Sequence, residues 1–107
     1  MKVLLHECIP RKLKRGVAGH ECHTVPEAGL AGKKNGELLS LAESLGFGIF
    51  VRMDKGVEYE QNLDGRTIAI IILRAKSNRL ADILPLVAEC LEVMQSIGPG
   101  QIARVTL

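Results

Sequence analysis

The chain of 107 residues has the length of a single domain. Its hydrophobic share of 47% and charged share of 24% exclude a disordered tail and a collagen-like fibre. The formal charge of +2 permits a polyanionic partner without requiring one, and three aromatic side chains with no Trp exclude a stacking platform for single-stranded bases.

Strand-like and helical patterns alternate along the chain. The first strand is predicted over 2–5, followed by a short helix over 10–15 and a weak strand over 21–25. A second helix is predicted over 36–45, with Asn35 as its N-cap and Gly46 at its end. Strands follow over 48–52 and 67–73, then a helical segment over 78–97 and a closing strand over 101–107.

Two features of the second half carry most of the fold prediction. The run from Ile68 to Leu73 is apolar at every position, which is typical of a strand covered on both faces. Pro85 lies inside the last helical segment and predicts a kink or two abutting helices. Alternating strands and helices therefore predict one α/β domain over residues 1–107, a three-layer α/β/α sandwich around a central, mainly parallel sheet.

The sequence carries no sign of export or membrane insertion. It has no apolar run of 18 residues, and the apolar start of the chain is too short for a signal peptide. Cys8, Cys22 and Cys90 cannot all pair within one chain, so we interpret them as reduced thiols. The expected location is the cytoplasm.

Polar residues gather where the predicted parallel strands end, which is where ligands bind in open α/β sheets. Two or three carboxylates meeting there would bind a hard cation such as Mg²⁺ or Mn²⁺, and the cation would activate water against a phosphodiester. Solvated loop carboxylates are the alternative, and spacing alone favours that alternative. The polar residues at these ends include His6, Glu7 and Asp54, and Asn35 and Glu37 stand at the start of the helix before the third strand.

Several segments, in order, resemble the PIN-like domain family, in particular its small bacterial toxin ribonucleases. The first is Lys2-Val3-Leu4-Leu5-His6-Glu7-Cys8-Ile9-Pro10, where the family reads Lys-Val-Leu-Leu-Asp-Glu followed by a Pro. The others are Asn35-Gly36-Glu37-Leu38-Leu39, Val51-Arg52-Met53-Asp54, Gln61-Asn62-Leu63 and the segment from Leu73 to Leu80. The resemblance implies a PIN-like fold and metal-dependent hydrolysis of RNA. It implies Glu7, Glu37 and Asp54 as catalytic acids, and it places His6, Glu7, Asn35 and Asp54 at the metal-ligand positions. It also implies a homodimer and a small antitoxin partner.

Four positions depart from the family pattern. His6 stands in place of the leading Asp, Asn35 in place of a frequent Asp, Arg52 in place of a Thr, and Gly56 in place of a second Asp. Each lost carboxylate weakens affinity for a hard cation, and an imidazole shifts preference toward Mn²⁺, Zn²⁺ or Ni²⁺. The alternatives are a site that still holds one ion and a degenerate module that binds nucleic acid or a protein without cleavage.

Basic residues near the predicted strand ends are candidate contacts for RNA phosphates. A solvated helix face explains the first cluster equally well. The early His and Cys residues do not have the spacing of a zinc finger or ribbon, so we favour strand-edge side chains over a structural zinc site. The candidate RNA contacts are Arg11, Lys12, Lys14, Arg15, Arg52, Arg74, Asn78 and Arg79.

Overall fold

The computed structural model describes residues 2–17, 19–53, 63 and 65–106. Its strands are β1 (Lys2–Leu5), β2 (Glu21–Thr24), β3 (Ile49–Met53), β4 (Ala69–Arg74) and β5 (Ile102–Thr106). Its helices are α1 (Asn35–Ser44), α2 (Leu80–Ile83) and α3 (Val87–Ser96), with 3₁₀ helices over Arg11–Gly16 and Leu84–Leu86. The predicted elements are confirmed, with ends shifted by at most two residues.

The five strands form one parallel sheet in the order β2-β1-β3-β4-β5. From β1 the chain first moves outward to β2, and then returns to the other side of β1 to place β3, β4 and β5. The direction of winding therefore reverses between β1 and β3. In sheets of this order, the crevice beyond the carboxyl ends of those two strands is the usual ligand site.

Apolar layers cover both faces of the sheet, which confirms the three-layer prediction. One layer, here the α1 face, includes Leu4, Phe50, Ile70 and Ile72 and packs against α1. The other, here the α3 face, includes Val3, Leu5, Ile71 and Leu73 and packs against α3 and the first 3₁₀ helix. Every residue from Ile68 to Leu73 is buried, as an apolar run in a central strand requires.

Both ends of α1 lie one residue earlier than predicted. The helix begins at Asn35 and its N-cap is Lys34, whose backbone is extended, so the prediction of Asn35 as N-cap is wrong. At the other end Gly46 has φ +87°, and Gly46 and Phe47 donate backbone hydrogen bonds to Glu43 and Ala42. This is a Schellman motif, and the left-handed backbone explains why glycine stands at position 46.

Pro85 divides the last helical segment as expected. It lies in the 3₁₀ turn Leu84–Leu86, between α2 and α3. A proline cannot donate the backbone hydrogen bond of a continuous α-helix, so the segment breaks at this point. Among the described residues, no helix has the length and apolar character needed to cross a membrane.

Candidate nucleic-acid interface

Three arginines lie toward the carboxyl ends of β3, β4 and β5, and we refer to Arg52, Arg74 and Arg104 as the arginine row. Side chains alternate between the faces of a strand. Since Ile72 belongs to the α1 face, Arg74 also faces that side, and the same alternation from Phe50 places Arg52 there. In β5, Ile102 packs against the α1-face layer, so Arg104 projects from the same face.

The register of the sheet keeps the arginine row together. Arg52 pairs with Ile72, and Ile72 pairs with Arg104, so the two arginines occupy one line across three strands. Their backbones are separated by two strand spacings, about 10 Å. Arg74 lies on β4, the strand between Arg52 and Arg104. It is two residues beyond Ile72 and pairs with Thr106 of β5. Arg74 and Arg104 are exposed and Arg52 is half-buried.

His6 continues the same line on the other side of Arg52. Its backbone N–H donates to Val51 O at 2.9 Å, which extends the pairing of β1 and β3 beyond Leu5. Its ring lies 5.8 Å from the ring of Phe50, on the α1 face. An imidazole and a guanidinium are therefore neighbours at the point where the sheet reverses its winding.

Cys8 turns back onto His6 directly after β1. The Cys8 Sγ atom lies 2.9 Å from His6 Nδ1. The backbone N–H of Cys8 donates to the same nitrogen at 3.1 Å. Both side chains are half-buried. Because Nδ1 accepts the backbone hydrogen bond, the neutral ring carries its proton on Nε2.

The structure describes two of the three predicted carboxylates, Glu7 directly after β1 and Glu37 in α1. Glu7 is exposed, and Glu37 is exposed in the first turn of α1 with Lys33 at 3.9 Å. Asp54 and the side chain of Asn35 lie outside the described residues. The joint site of Glu7, Glu37 and Asp54 therefore stays a prediction.

The described residues of this edge do not provide a site for a hard cation. Within residues 2–17, 19–53, 63 and 65–106, no three His, Cys, Asp or Glu side chains are grouped to hold a metal ion. The donors that do meet are an imidazole nitrogen and a thiol sulfur, which suit borderline transition metals better than Mg²⁺. We therefore derive no chemical step through Mg²⁺ or Mn²⁺.

The remaining basic candidates divide into exposed and ion-paired residues. Lys14 contacts both carboxylate oxygens of Glu27, at 3.0 and 2.9 Å, and so is engaged within the protein. The segment after β4 adds Lys76, which the sequence analysis missed. The other candidates of these two segments, all exposed, are Arg11, Lys12, Arg15, Asn78 and Arg79.

Glu27 is fixed by a reciprocal pair of hydrogen bonds with Thr24. Its carboxylate accepts from the Thr24 backbone N–H at 2.9 Å, and its own N–H donates to Thr24 Oγ1 at 3.3 Å. The same reciprocal arrangement forms the capping box of helices, with the spacing Thr-x-x-Glu, and here it closes the turn after β2. The sequence analysis did not use this signal. The Thr24 N–H, together with the Lys14 ammonium, lowers the pKa of Glu27 to about 2.

We expect this carboxyl group to titrate far below an ordinary glutamate in a carbon-detected NMR titration of the folded chain. The midpoint for Glu27 should lie near 2. Replacing Lys14 with Met should raise it, since one of the stabilising donors is lost, while the Thr24 N–H keeps it below the usual range. A midpoint near the ordinary value of 4.5 would contradict the described contacts.

Arg104 is the second residue of the interface that the sequence analysis missed. Its signal is the alternation of Ile102, Arg104 and Thr106 on one face of β5. Placing that face beside Arg52 requires the strand order and register, which the sequence alone does not provide.

Comparison of the chain with family models, with curated proteins and with solved structures finds no match.

Proposed function

We propose that this protein is a PIN-like RNA-binding protein, and that the carboxyl edge of its sheet holds the RNA backbone. The observation that carries the proposal is the arginine row, three guanidinium groups on one face of three adjacent strands. Arginine donates paired hydrogen bonds to phosphate oxygens, so a row of arginines matches a chain of phosphates.

The chemistry of this edge also fixes the expected character of binding. Phosphate contacts position a nucleic acid without reading its sequence. The protein has no Trp, and both of its Phe side chains are buried, at 3% and 2% exposure, so bases have no Phe or Trp ring on which to stack. We therefore expect binding that is sensitive to salt and tolerant of sequence.

The direct test measures binding of a labelled single-stranded RNA to the tag-free chain by fluorescence anisotropy, in EDTA and at several salt concentrations. If Arg52, Arg74 and Arg104 each contact one phosphate, the slope of log K against log salt concentration should be about −2. Each phosphate contact on a single strand contributes about −0.7 to this slope. Affinity that does not change with salt, or no binding at low salt, would refute the proposal.

A metal-dependent ribonuclease is the second candidate function. Its support is that His6 lies beside β3, where its N–H donates to Val51. In the sequence, Asp54 directly follows the last residue of β3. Cleavage of RNA in Mg²⁺ or Mn²⁺ that disappears in Asp54→Asn would favour this candidate. Activity that appears only in His6→Asp would indicate that the native edge lacks a needed carboxylate. Equal cleavage by wild type and Asp54→Asn would exclude a role for Asp54.

The cellular role implied by the resemblance is that of the toxin in a toxin–antitoxin pair, acting in the cytoplasm as a homodimer. A toxin should slow growth when induced, and co-expression of its antitoxin should restore growth. A small reading frame adjacent to this one is the first antitoxin candidate. Light scattering from the purified chain tests the dimer directly.

A further inference from the structure

We propose that His6 and Cys8 form a chelating site for a borderline divalent transition metal, Ni²⁺ or Zn²⁺, at the carboxyl end of β1. The two donors already meet, with Sγ 2.9 Å from Nδ1. Both side chains are half-buried, so the pair is anchored and remains reachable from solvent. The proposal does not rest on RNA binding, and it differs in the metal and in the Cys8 ligand from the Mg²⁺ or Mn²⁺ site that the resemblance implies.

The distance between the donors fits a chelate. Typical bonds from a metal to imidazole nitrogen and thiolate sulfur are about 2.0 and 2.3 Å. For those bond lengths, donors at a right angle lie about 3.1 Å apart, and donors at the tetrahedral angle about 3.5 Å apart. The hydrogen-bonded separation of 2.9 Å is shorter than both values, so a small outward movement of Sγ would bring the two donors to a shared ion of either geometry.

The local structure prepares His6 for this role. Its ring is held against Phe50, and its backbone is fixed by the hydrogen bond to Val51. The backbone N–H of Cys8 donates to Nδ1 at 3.1 Å, so the lone pair of that nitrogen points toward the Cys8 loop, and a metal ion would have to displace this hydrogen bond. A metal ion would take over this lone pair and displace the thiol proton, since a coordinating thiol is deprotonated.

The other thiols are poor competitors for the ion. Cys22 and Cys90 are buried in the layer of the α3 face. Burial raises the pKa of Cys22, and burial together with the nearby Cys22 raises the pKa of Cys90 to about 11. Both thiols are enclosed by apolar side chains, whereas Cys8 is half-buried, so a metal ion from solvent would reach Cys8 and not Cys22 or Cys90. A sulfur-to-metal absorption band would therefore report on Cys8.

The test titrates the tag-free, reduced chain with Ni²⁺, Zn²⁺ or Mg²⁺ by calorimetry, and follows the near-ultraviolet charge-transfer band of the Ni²⁺ sample. We expect one Ni²⁺ per chain, bound at least 100-fold more tightly than Mg²⁺. Cys8→Ser should abolish the band and weaken Ni²⁺ binding at least 10-fold. His6→Asn should also weaken binding at least 10-fold.

The matched control is His23→Asn. His23 lies on β2, is likewise half-buried, and its ring makes an edge contact with the ring of Phe47. It should leave Ni²⁺ binding unchanged. Circular dichroism confirms the fold of each variant, and Cys8→Ala serves if Cys8→Ser is unstable. Unchanged Ni²⁺ binding in both Cys8 variants, or no Ni²⁺ binding by wild type, would overturn the site. RNA binding in EDTA would be unaffected by that outcome.

Discussion

Replacing Arg52 and Arg104 together with Gln is expected to weaken RNA binding by about 10- to 100-fold at low salt. The two residues occupy one line across the sheet and project from the same face, so under the proposal both would contact the same stretch of RNA backbone. Hydrogen bonds to charged groups contribute about 1.5 to 3 kcal/mol each, and the observed loss is reduced where solvent screens them. The loss of two contacts should also reduce the salt slope by about 1.4.

The matched control is Arg11→Gln with Arg15→Gln, which removes the same charge from the 3₁₀ helix that packs on the α3 face. Both control residues are exposed, so their replacement should not disturb packing. If the arginine row binds the RNA, the fold-loss of RNA affinity in the control variant should be at least five times smaller than in the Arg52 and Arg104 variant. Equal losses from the two pairs would assign binding to overall charge, and a larger loss from the control pair would assign it to the 3₁₀ helix.

The second large effect concerns stability at the opposite edge of the sheet. Glu43 of α1 accepts hydrogen bonds from Arg66 Nη1 at 2.6 Å and from the Thr67 backbone N–H at 2.6 Å. The Ile68 N–H donates to the same carboxylate at 3.3 Å. The side chains of Arg66 and Glu43 are only 20% and 19% exposed. This carboxylate therefore anchors the start of β4 to α1.

We expect Glu43→Gln to lower the free energy of unfolding at neutral pH by about 2 kcal/mol, because an amide cannot accept all of these hydrogen bonds. Burial by itself raises the pKa of Glu43, but the N–H groups of Thr67 and Ile68 and the Arg66 guanidinium outweigh it and lower the pKa below the ordinary 4.5. The contribution is thus complete above 4.5 and is lost as the pH falls through the lowered value.

Urea unfolding of wild type and Glu43→Gln at several pH values measures this difference. The gap between the two proteins should narrow as the pH falls below 4.5. Glu21→Gln is the control, since its carboxylate is 65% exposed and lies 3.5 Å from His23, and it should change stability by less than about 0.5 kcal/mol. A gap that stays constant down to acid pH would contradict the role of the Glu43 charge.

The sequence predicted the layers of this fold because its signals are local. The apolar run through Ile68 to Leu73 required a strand covered on both faces, and Pro85 required a break between helices. The N-cap of α1 was predicted one residue too late, since Asn35 takes part in the first helical turn and Lys34 adopts the extended cap conformation. The helix start is weakly specified by the sequence, because the side chain of the N-cap residue forms no capping hydrogen bond.

The candidate site was only partly predictable because it depends on the order of the strands. His6, Arg52 and Arg74 could be found as polar residues at strand ends. Arg104 could not, since nothing local places β5 next to β4 or sets Arg104 level with Arg52. The contact between His6 and Cys8 depends on the turn after β1, which a pattern of residue types does not specify. Lys14 was predicted to contact RNA but pairs with Glu27.

The most direct measurement of the central claim is an amide-shift map of the isotope-labelled chain titrated with single-stranded RNA in EDTA. The account predicts that the largest shifts fall at the carboxyl edge, at His6, Arg52, Arg74 and Arg104. The amino edge, represented by Gly46, Arg66 and Gly100, should barely change. Shifts concentrated at that amino edge, or no shifts at saturating RNA, would contradict the account.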